Sequence, residues 1–373
     1  MKRTVNYALL GCGMMGLEHV KNINLIDGAR VVAIVEPNLA MRENASALLP
    51  DAVFYDNIEA LITHPGLDAM VIVTPNYQHA EQLLFVLENT DLAVLVEKPI
   101  VTDMAQISAI KAAAAQHKAP IWVAMEYRYM PVISQFREAL SSGVTGNMRN
   151  LTICEHRFPF LEKVNDWNRF NEKTGGTLVE KCCHFFDLMR LLSESEVVRV
   201  YASTGQDVNH LDERYDSAAP DIIDNAYVVL DFASGLRAML ELNMFAEGAE
   251  YQEHISAIGE QAKLECFVPG PGRFWPQELG PAPIAKLVQS PRLPKGPVTS
   301  YVDVDPELLE VGDHNGSTFY QHQGFYKAIT EGSAVEVSVE DGLKAVIIGM
   351  AAQHSASTGQ AVNMTENGYN FIK

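Results

Sequence analysis

Six residues constrain this chain more than any others. Gly11-Cys12-Gly13-Met14-Met15-Gly16 stands between an apolar run, Val5 to Leu10, and a helical pattern, Met15 to Leu25. The G-x-G-x-x-G spacing allows a tight turn, a backbone bare enough for a pyrophosphate to approach, and close packing of helix on strand. The helix start turns its free N–H groups toward the anion. Twenty residues after Gly16, Glu36 ends a second apolar run, where a carboxylate can accept hydrogen bonds from ribose hydroxyls. The same charge repels a 2′-phosphate, so NAD is favoured over NADP. Arg42, in the next helical pattern, reads first as a surface arginine and second as a residue that softens this preference.

The rhythm beyond the loop continues the same architecture. Apolar runs at Val31 to Val35, Ala69 to Val73, Ala93 to Val96 and Ile121 to Ala124 alternate with helical patterns at Leu39 to Leu49, His79 to Glu88 and Met104 to His117. This is the pattern of a parallel sheet wrapped by helices, and it predicts an α/β chain with a doubly wound domain over residues 1–124. A second domain, 125–373, opens with a helix from Val132 to Ser142, ended by Gly143 and Gly146. Strands follow at Asn150 to Glu155, Val197 to Ser203, Ala226 to Phe232, Leu236 to Met244 and His254 to Gly259, with a hairpin at Ser234-Gly235. Hairpins with few helices between them predict an α+β domain on an antiparallel or mixed sheet. Residues 267–313 concentrate prolines and read as a functional loop, an oligomer arm or a mobile segment. Helices from Thr318 to Ile329, capped by Ser317 or Thr318, and from Val339 to Ser357 close the pattern.

Charge narrows the ligands. With 28 Lys+Arg against 47 Asp+Glu the net charge is −19, so a general attraction to nucleic acid or an anionic membrane is not expected, and an anionic ligand needs a local site. No apolar run reaches the roughly 18 residues of a membrane span. Met1-Lys2-Arg3 leads straight into the first strand with no signal segment, and five cysteines in 373 residues form no disulfide framework. A cytoplasmic protein with reduced thiols is the expectation.

Two further clusters carry chemistry. Thr74-Pro75-Asn76 and Glu97-Lys98-Pro99 follow apolar strands and so fall at the carboxyl edge of the sheet, where doubly wound folds bind ligands. Lys98 there is a phosphate contact, a surface residue, or a charge that stabilises an alkoxide beside a nicotinamide. The second cluster runs from Gly175-Gly176 to Asp187. A helix starting at Thr177 would set Glu180 and His184 four apart on one face, with Lys181 and Asp187 each three from His184. A plainer reading makes Thr177 and Glu180 a capping box and Asp187 the partner of a core histidine. Zinc on Cys182, Cys183, His184 and Glu180 is disfavoured, because adjacent helical cysteines point about 100° apart; no metal is expected.

Together these motifs, with Tyr127-Arg128-Tyr129 and Val339-Glu340-Asp341-Gly342, resemble the glucose–fructose oxidoreductase / inositol dehydrogenase (Gfo/Idh/MocA) family over nearly the whole chain. The resemblance implies a Rossmann domain followed by a domain with a large, mostly antiparallel open sheet that mediates homodimers or homotetramers. It implies cofactor contacts from Gly11, Gly13, Met14, Met15, Gly16, Glu36, Thr74, Pro75, Asn76, His79, Glu97 and Lys98. Lys98 takes the place of the family's active-site lysine, His184 of its acid/base, and Glu180 of a substrate-binding aspartate. The chain departs from the family in having Glu at 180, Lys at 181 and Cys at 182, and Lys181 is expected to reach the substrate.

The reaction so implied moves a hydride from a secondary alcohol of a sugar, sugar derivative or inositol to the nicotinamide. His184 removes the hydroxyl proton, Lys98 steadies the alkoxide, Glu180 orients substrate or lysine, and an acid beside His184 keeps it basic. Arg128, Arg157 and Trp167 are further substrate candidates, as are His156, His314 and Tyr320, each with an ordinary packing or ion-pair alternative. Two rivals stand beside this reading. One is a redox-neutral glycoside hydrolase working by transient oxidation and elimination; the other is a non-catalytic NAD- or sugar-sensing protein, which would not need Lys98, Glu180 and His184 together.

Overall fold

A computed structural model describes residues 4–366 and 368–371, so the reading of Met1 to Arg3 lies outside the described residues. The first third forms β1 (Val5–Leu10), α1 (Met14–Asn24), β2 (Ala29–Val35), α2 (Leu39–Leu48), β3 (Val53–Tyr55), α3 (Ile58–Leu61), β4 (Ala69–Ile72), α4 (Asn76–Asn89), β5 (Ala93–Glu97), α5 (Ile107–Gln116) and β6 (Ile121–Ala124). The six strands pair in parallel in the order β3-β2-β1-β4-β5-β6. The strand order reverses beside β1, which places the crevice for a ligand at the ends of β1 and β4. β4, β5 and β6 are buried on both faces, as sheets covered by helices require. The sequence reading omitted β3 and α3: β3 is a half-exposed edge strand of three residues and α3 is four residues capped by Asn57, so neither carries a buried apolar run.

The rest of the chain hangs on a ten-stranded sheet. Its strands are β7 (Met148–His156), β8 (Val197–Gly205), β9 (Asn225–Phe232), β10 (Arg237–Asn243), β11 (Glu253–Gly259), β12 (Ala262–Val268), β13 (Ala285–Pro291), β14 (Val298–Val302), β15 (Val362–Thr365) and β16 (Gly368–Phe371). The order is β14-β13-β12-β11-β7-β10-β9-β8-β15-β16; β7 and β10 are parallel and the other neighbours antiparallel. The α/β architecture with a large, mostly antiparallel second sheet is as expected. Alternation along β8, β9 and β10 buries Val200, Ala202, Val228, Leu230 and Leu240 against helices and leaves the other face open.

The proline-rich stretch is in part a correction. Residues 267–313 are not one irregular segment: they include β13 and β14, which extend the sheet, and α10 (Pro306–Glu310). β14 is the edge strand and buries only Val302, and β13 inside it buries only Ala285 and Leu287, so their hydrophobic alternation is weak.

The remaining helices are α6 (Pro131–Ser141), α7 (Asn171–Thr174), α8 (Thr177–Glu180), α9 (Cys183–Ser193), α11 (Ser317–Glu331) and α12 (Val339–Thr358), of which α12 packs on both sheets. α12 starts with a capping box between Ser338 and Asp341. It is buried nearly all round: Val346 and Met350 pack with the first core, Ile348 and Ala352 with the second. α11 begins at Gly316 with no side-chain cap, so the expected capping by Ser317 or Thr318 is not seen; Thr318 Oγ1 instead donates to Glu18 at 2.7 Å.

Candidate active site

The glycine loop is shaped by lack of room. Gly11 has φ +89°, and a Cβ on it would lie 2.8 Å from the Val73 carbonyl; a Cβ on Gly16 would lie 2.8 Å from the Gly11 carbonyl. A Cβ on Gly13 would meet nothing within 4 Å, so the loop's middle is open on the ligand side. Gly13 caps α1 without a side chain and Met14 and Met15 form its first turn, leaving backbone N–H groups free for an anion. Glu36 Oε2 accepts from Cys12 N at 2.7 Å and Oε1 from Asn38 N at 2.8 Å, which holds the carboxylate against the loop. Burial, aided by Glu36, pushes the Cys12 thiol up to about 12. Arg42 is tied to Asp56 and the Phe54 carbonyl on the surface.

Two more loops close this edge. The buried His79 bridges them, with Nε2 2.8 Å from the Thr74 carbonyl and Nδ1 2.9 Å from the Pro99 carbonyl. Thr74 Oγ1 donates to Gln82 at 2.6 Å, and Asn76, just after Pro75 at the start of α4, keeps a buried Nδ2 without a partner. Glu97 is engaged within the protein: Oε1 meets His19 Nε2 at 3.0 Å, Oε2 accepts from Lys98 N at 3.1 Å, and His19 Nδ1 meets His322 Nε2 at 2.7 Å. The bare loop, its free N–H groups and the orphaned Asn76 amide fit a dinucleotide lying across the ends of β1 and β4.

Across the cleft, two glycines set the second cluster. Gly175 (φ +81°) ends α7, and Gly176 (φ +92°) lies where any Cβ would come 1.7 Å from Gln353 Oε1 of α12. Gln353 in turn donates to the Gly175 carbonyl at 2.8 Å. From there the structure departs from the expected single helix: α8 ends at Glu180, the chain breaks at Lys181-Cys182, and α9 restarts at Cys183. The expected capping box is absent too, because Thr177 Oγ1 donates to the Ile223 carbonyl at 2.8 Å. Glu180 and His184 therefore sit on successive helices.

Lys98 Nζ donates to the Glu180 carbonyl at 3.1 Å. Burial opposes its charge, yet Cys183 and the carboxyl groups of Glu126, Glu97 and Glu180 outweigh burial and hold the ammonium above its usual range. Burial lifts Glu180 despite the cations Lys98, Lys163 and Arg157, and its Oε2 is buried without a partner. The His184 ring stacks on Tyr127 at 4.3 Å between centroids, its Nδ1 is buried without a partner, and its Nε2 lies 3.5 Å from Glu126 Oε1. Here the structure corrects the expectation of a basic His184: burial, reinforced by the charges of Lys98 and Lys181, pushes it well below the usual range. The nearby acid is Glu126, itself lifted to about 7 by burial and by Glu97.

Other candidates divide. Arg128, expected at the substrate, forms a buried bidentate pair with Asp187 at 2.5 Å and donates to the Glu336 carbonyl; Asp187 thus serves Arg128 rather than His184. Lys181 lies 2.8 Å from Glu155 and donates to the Tyr127 hydroxyl at 2.6 Å, an internal pair rather than an outreaching arm. Arg157 lies over Phe158, 3.7 Å from Glu155, and its charge reaches Glu180 and His184. Trp167 packs edge-on to Tyr77, next to Asn76, bridging the two halves at the cleft. His156 pairs with Glu241, and Tyr320 packs on Phe319. His314 Nδ1 meets Glu18 Oε1 at 2.8 Å, which joins α1 to the segment before α11. The sequence reading passed over Glu126, Glu18 and Lys163. Glu126 was within reach, because it follows β6 at the same sheet edge as Thr74 and Lys98.

With that geometry in place, comparison with known proteins gives the class. Residues 5–125 match the oxidoreductase family's NAD-binding Rossmann fold, and residues 137–364 match its C-terminal alpha/beta domain. The chain is 31% identical to an inositol 2-dehydrogenase of Rhodococcus erythropolis over 258 residues, 68% of this chain and 69% of that one. It is 28% identical to an inositol 2-dehydrogenase of Rhizobium meliloti over 261 residues, 70% and 75% of the two chains. Among solved structures, levoglucosan dehydrogenase with NADH and levoglucosan superposes with a TM-score of 0.79 at 20% identity, covering 98% of this chain and 100% of that one, a likeness of fold. The protein is an oxidoreductase with a nicotinamide-dinucleotide domain. It belongs to the Gfo/Idh/MocA family.

Proposed function

We propose that this protein oxidises a secondary alcohol of a polyol or sugar, with NAD as the preferred hydride acceptor. The observation that carries the reading is the Lys98 ammonium, 3.1 Å from the Glu180 carbonyl and gathered with His184 at the carboxyl edge of the Rossmann sheet. The dinucleotide, when bound, supplies the hydride-accepting C4 of its nicotinamide. The loop from Gly11 to Gly16, with Thr74, Pro75 and Asn76, holds it, and Glu36 favours a free 2′-hydroxyl over a 2′-phosphate. Lys98, kept charged by the surrounding carboxyl groups, steadies the alkoxide as the hydroxyl proton leaves. His184 receives that proton, Glu180 orients the substrate, and Arg157 and Trp167 line its approach. Similarity to inositol 2-dehydrogenases supports an inositol or another cyclic polyol as the first substrate to try.

Assembly is part of the same reading. The open face of the second sheet presents Tyr201 beside Val229 and Tyr227 beside Glu241, all in cross-strand register, with Tyr201, Tyr227 and Val229 exposed. Such a face supports a homodimer or homotetramer. Five free thiols, four of them buried, support a cytoplasmic setting, and no helix among the described residues is long and apolar enough to cross a membrane.

The test is NADH or NADPH formation, with NAD and NADP compared, over a panel of inositols, aldoses and glycosides. Turnover of one polyol, reduced about 100-fold or more in Lys98→Ala and in His184→Ala, is expected. Glycoside cleavage without NADH would favour the redox-neutral hydrolase, and NAD binding without turnover would favour the sensor.

A further inference from the structure

Oxidation of an alcohol releases a proton, and the buried groups around His184 provide a destination. The His184 ring has one nitrogen free and one directed at a carboxyl: Nδ1 is buried without a partner, while Nε2 lies 3.5 Å from Glu126 Oε1. Stacking on Tyr127 fixes the ring plane, so these two directions are built in. Glu126 Oε2 is also buried without a partner. His314 Nε2 lies 3.9 Å from the same oxygen, Glu126 Oε1, and His314 Nδ1 meets Glu18 at 2.8 Å. His314 is about a quarter exposed, at 23%, whereas His184 and Glu126 are buried. Glu126 Oε1 is thus within 4 Å of both a buried imidazole and a partly exposed one.

We propose that His184 is a conduit and that Glu126 is where the substrate's proton comes to rest. This rests on the alcohol-oxidising reading above. The step balances without a further reactant. The substrate hydroxyl gives its proton to His184 Nδ1, His184 gives the proton on Nε2 to the Glu126 carboxylate, and the hydride leaves carbon for the dinucleotide. The ring changes tautomer and ends neutral, and Glu126 ends as a carboxylic acid. The proton then passes to solvent at the partly exposed rim where His314 stands; the His314 imidazolium, already protonated on both nitrogens, favours the return of Glu126 to the carboxylate. The 3.5 Å gap is longer than a formed hydrogen bond, as is common for catalytic pairs without substrate.

The electrostatics agree. Burial and the neighbouring ammonium groups make a charged His184 costly, so the ring is a poor store for a proton but a good path for one. Glu126 faces Glu97 and Lys98 from the end of β5, His184 from α9 and His314 from the segment before α11. Burial and Glu97 raise it to about 7, while His314 and Lys98 keep it able to ionise. A carboxyl poised there accepts a proton and returns it near neutral pH.

Glu253 supplies the control. Burial and Glu155 lift it, too, to about 7, but it accepts from the Tyr127 hydroxyl at 3.3 Å and its neighbours are Glu155, Lys181 and Gln252 rather than His184. The experiment pairs two readouts on wild type, Glu126→Gln and Glu253→Gln. The first is an infrared titration of protonated carboxyl groups on the protein without substrate. The second is the pH profile of kcat, with and without added imidazole buffer. We expect Glu126→Gln to lose a carboxyl that titrates near neutrality, to lower kcat about tenfold or more with KM little changed, to lose the limb near pH 7, and to recover rate with imidazole. Glu253→Gln should lose a different carboxyl and keep the limb. A Glu126→Gln enzyme with the wild-type profile, or one slowed equally at every pH and deaf to buffer, overturns the proposal; so does an infrared titration unchanged by the substitution. A wild-type protein that oxidises no alcohol overturns the reading beneath it instead.

Discussion

The two walls of the cleft work by opposite means. On the Rossmann side the loop from Gly11 to Gly16 acts through backbone: missing side chains, free N–H groups, and one carboxylate, Glu36, held by the backbone N–H groups of Cys12 and Asn38. Facing it, Glu180, Lys181 and His184, joined by Lys98 and Glu126 from the ends of β5 and β6, are charged or titratable side chains largely taken out of water and balanced against one another. A backbone site is damaged by adding atoms, and a charge site by removing them. The contrast also separates binding from chemistry, since the first wall has little to titrate and the second has little bare backbone.

Substitutions sharpen this division. The largest effect is expected from Lys98→Ala, about 100- to 1000-fold in kcat, because it removes the cation from among three carboxyl groups while leaving dinucleotide affinity within a fewfold; kinetics alongside NADH titration check both. Gly176→Ala comes next. It puts a Cβ 1.7 Å from Gln353 Oε1 at φ +92°, so a loss of about 1–3 kcal/mol in stability together with activity is expected in denaturant unfolding. Gly13→Ala should do the reverse of Lys98→Ala: with no atom within 4 Å of the new Cβ, the fold is kept while dinucleotide affinity falls about tenfold, measured by fluorescence titration. Glu36→Ala should narrow the proposed preference for NAD over NADP by roughly tenfold, or about 1.4 kcal/mol.

The smallest effect concerns the pair that joins the walls. Burial disfavours charge on His314, but Glu18 outweighs it and raises the imidazole to about 9; Glu18, against burial, is lowered to about 2 by His314 and Thr318. The His314 contribution to stability is full below its ordinary 6.5 and is lost as pH rises through about 9. That of Glu18 is full above 4.5 and is lost as pH falls through about 2. Wild type should therefore lose a few degrees of Tm between pH 6.5 and 9, and His314→Gln should show a flatter curve over that window.

Sequence reached the two walls unequally, for the same reason. The glycine loop, Glu36 and the strand ends at Thr74 and Lys98 are local patterns, so spacing sufficed to find them. His184 and Glu180 came from motif resemblance, but the break between their helices did not, since it depends on Gly176 meeting Gln353 and on α12 approaching so closely that a Cβ on Gly349 would lie 2.5 Å from the Leu178 carbonyl. The pairing of Arg128 with Asp187 and of Lys181 with Glu155 joins residues 59 and 26 positions apart, and no local pattern marks them. Glu126 is a lone acid after a strand until folding brings His184 and His314 to it. β13 and β14 escape a local pattern because the edge strand β14 buries only Val302 and its neighbour β13 only Ala285 and Leu287, too little to sustain a period of two.

The most direct test of the central claim is isotope transfer in a single turnover. A polyol carrying deuterium on the carbinol carbon is mixed with the protein and NAD, and the nicotinamide is examined by mass spectrometry and NMR. The account predicts one deuterium at C4 of the product NADH, a rate slowed by the label, and neither in Lys98→Ala on the same timescale. NAD recovered without label from a protein that nonetheless consumes the substrate would contradict it.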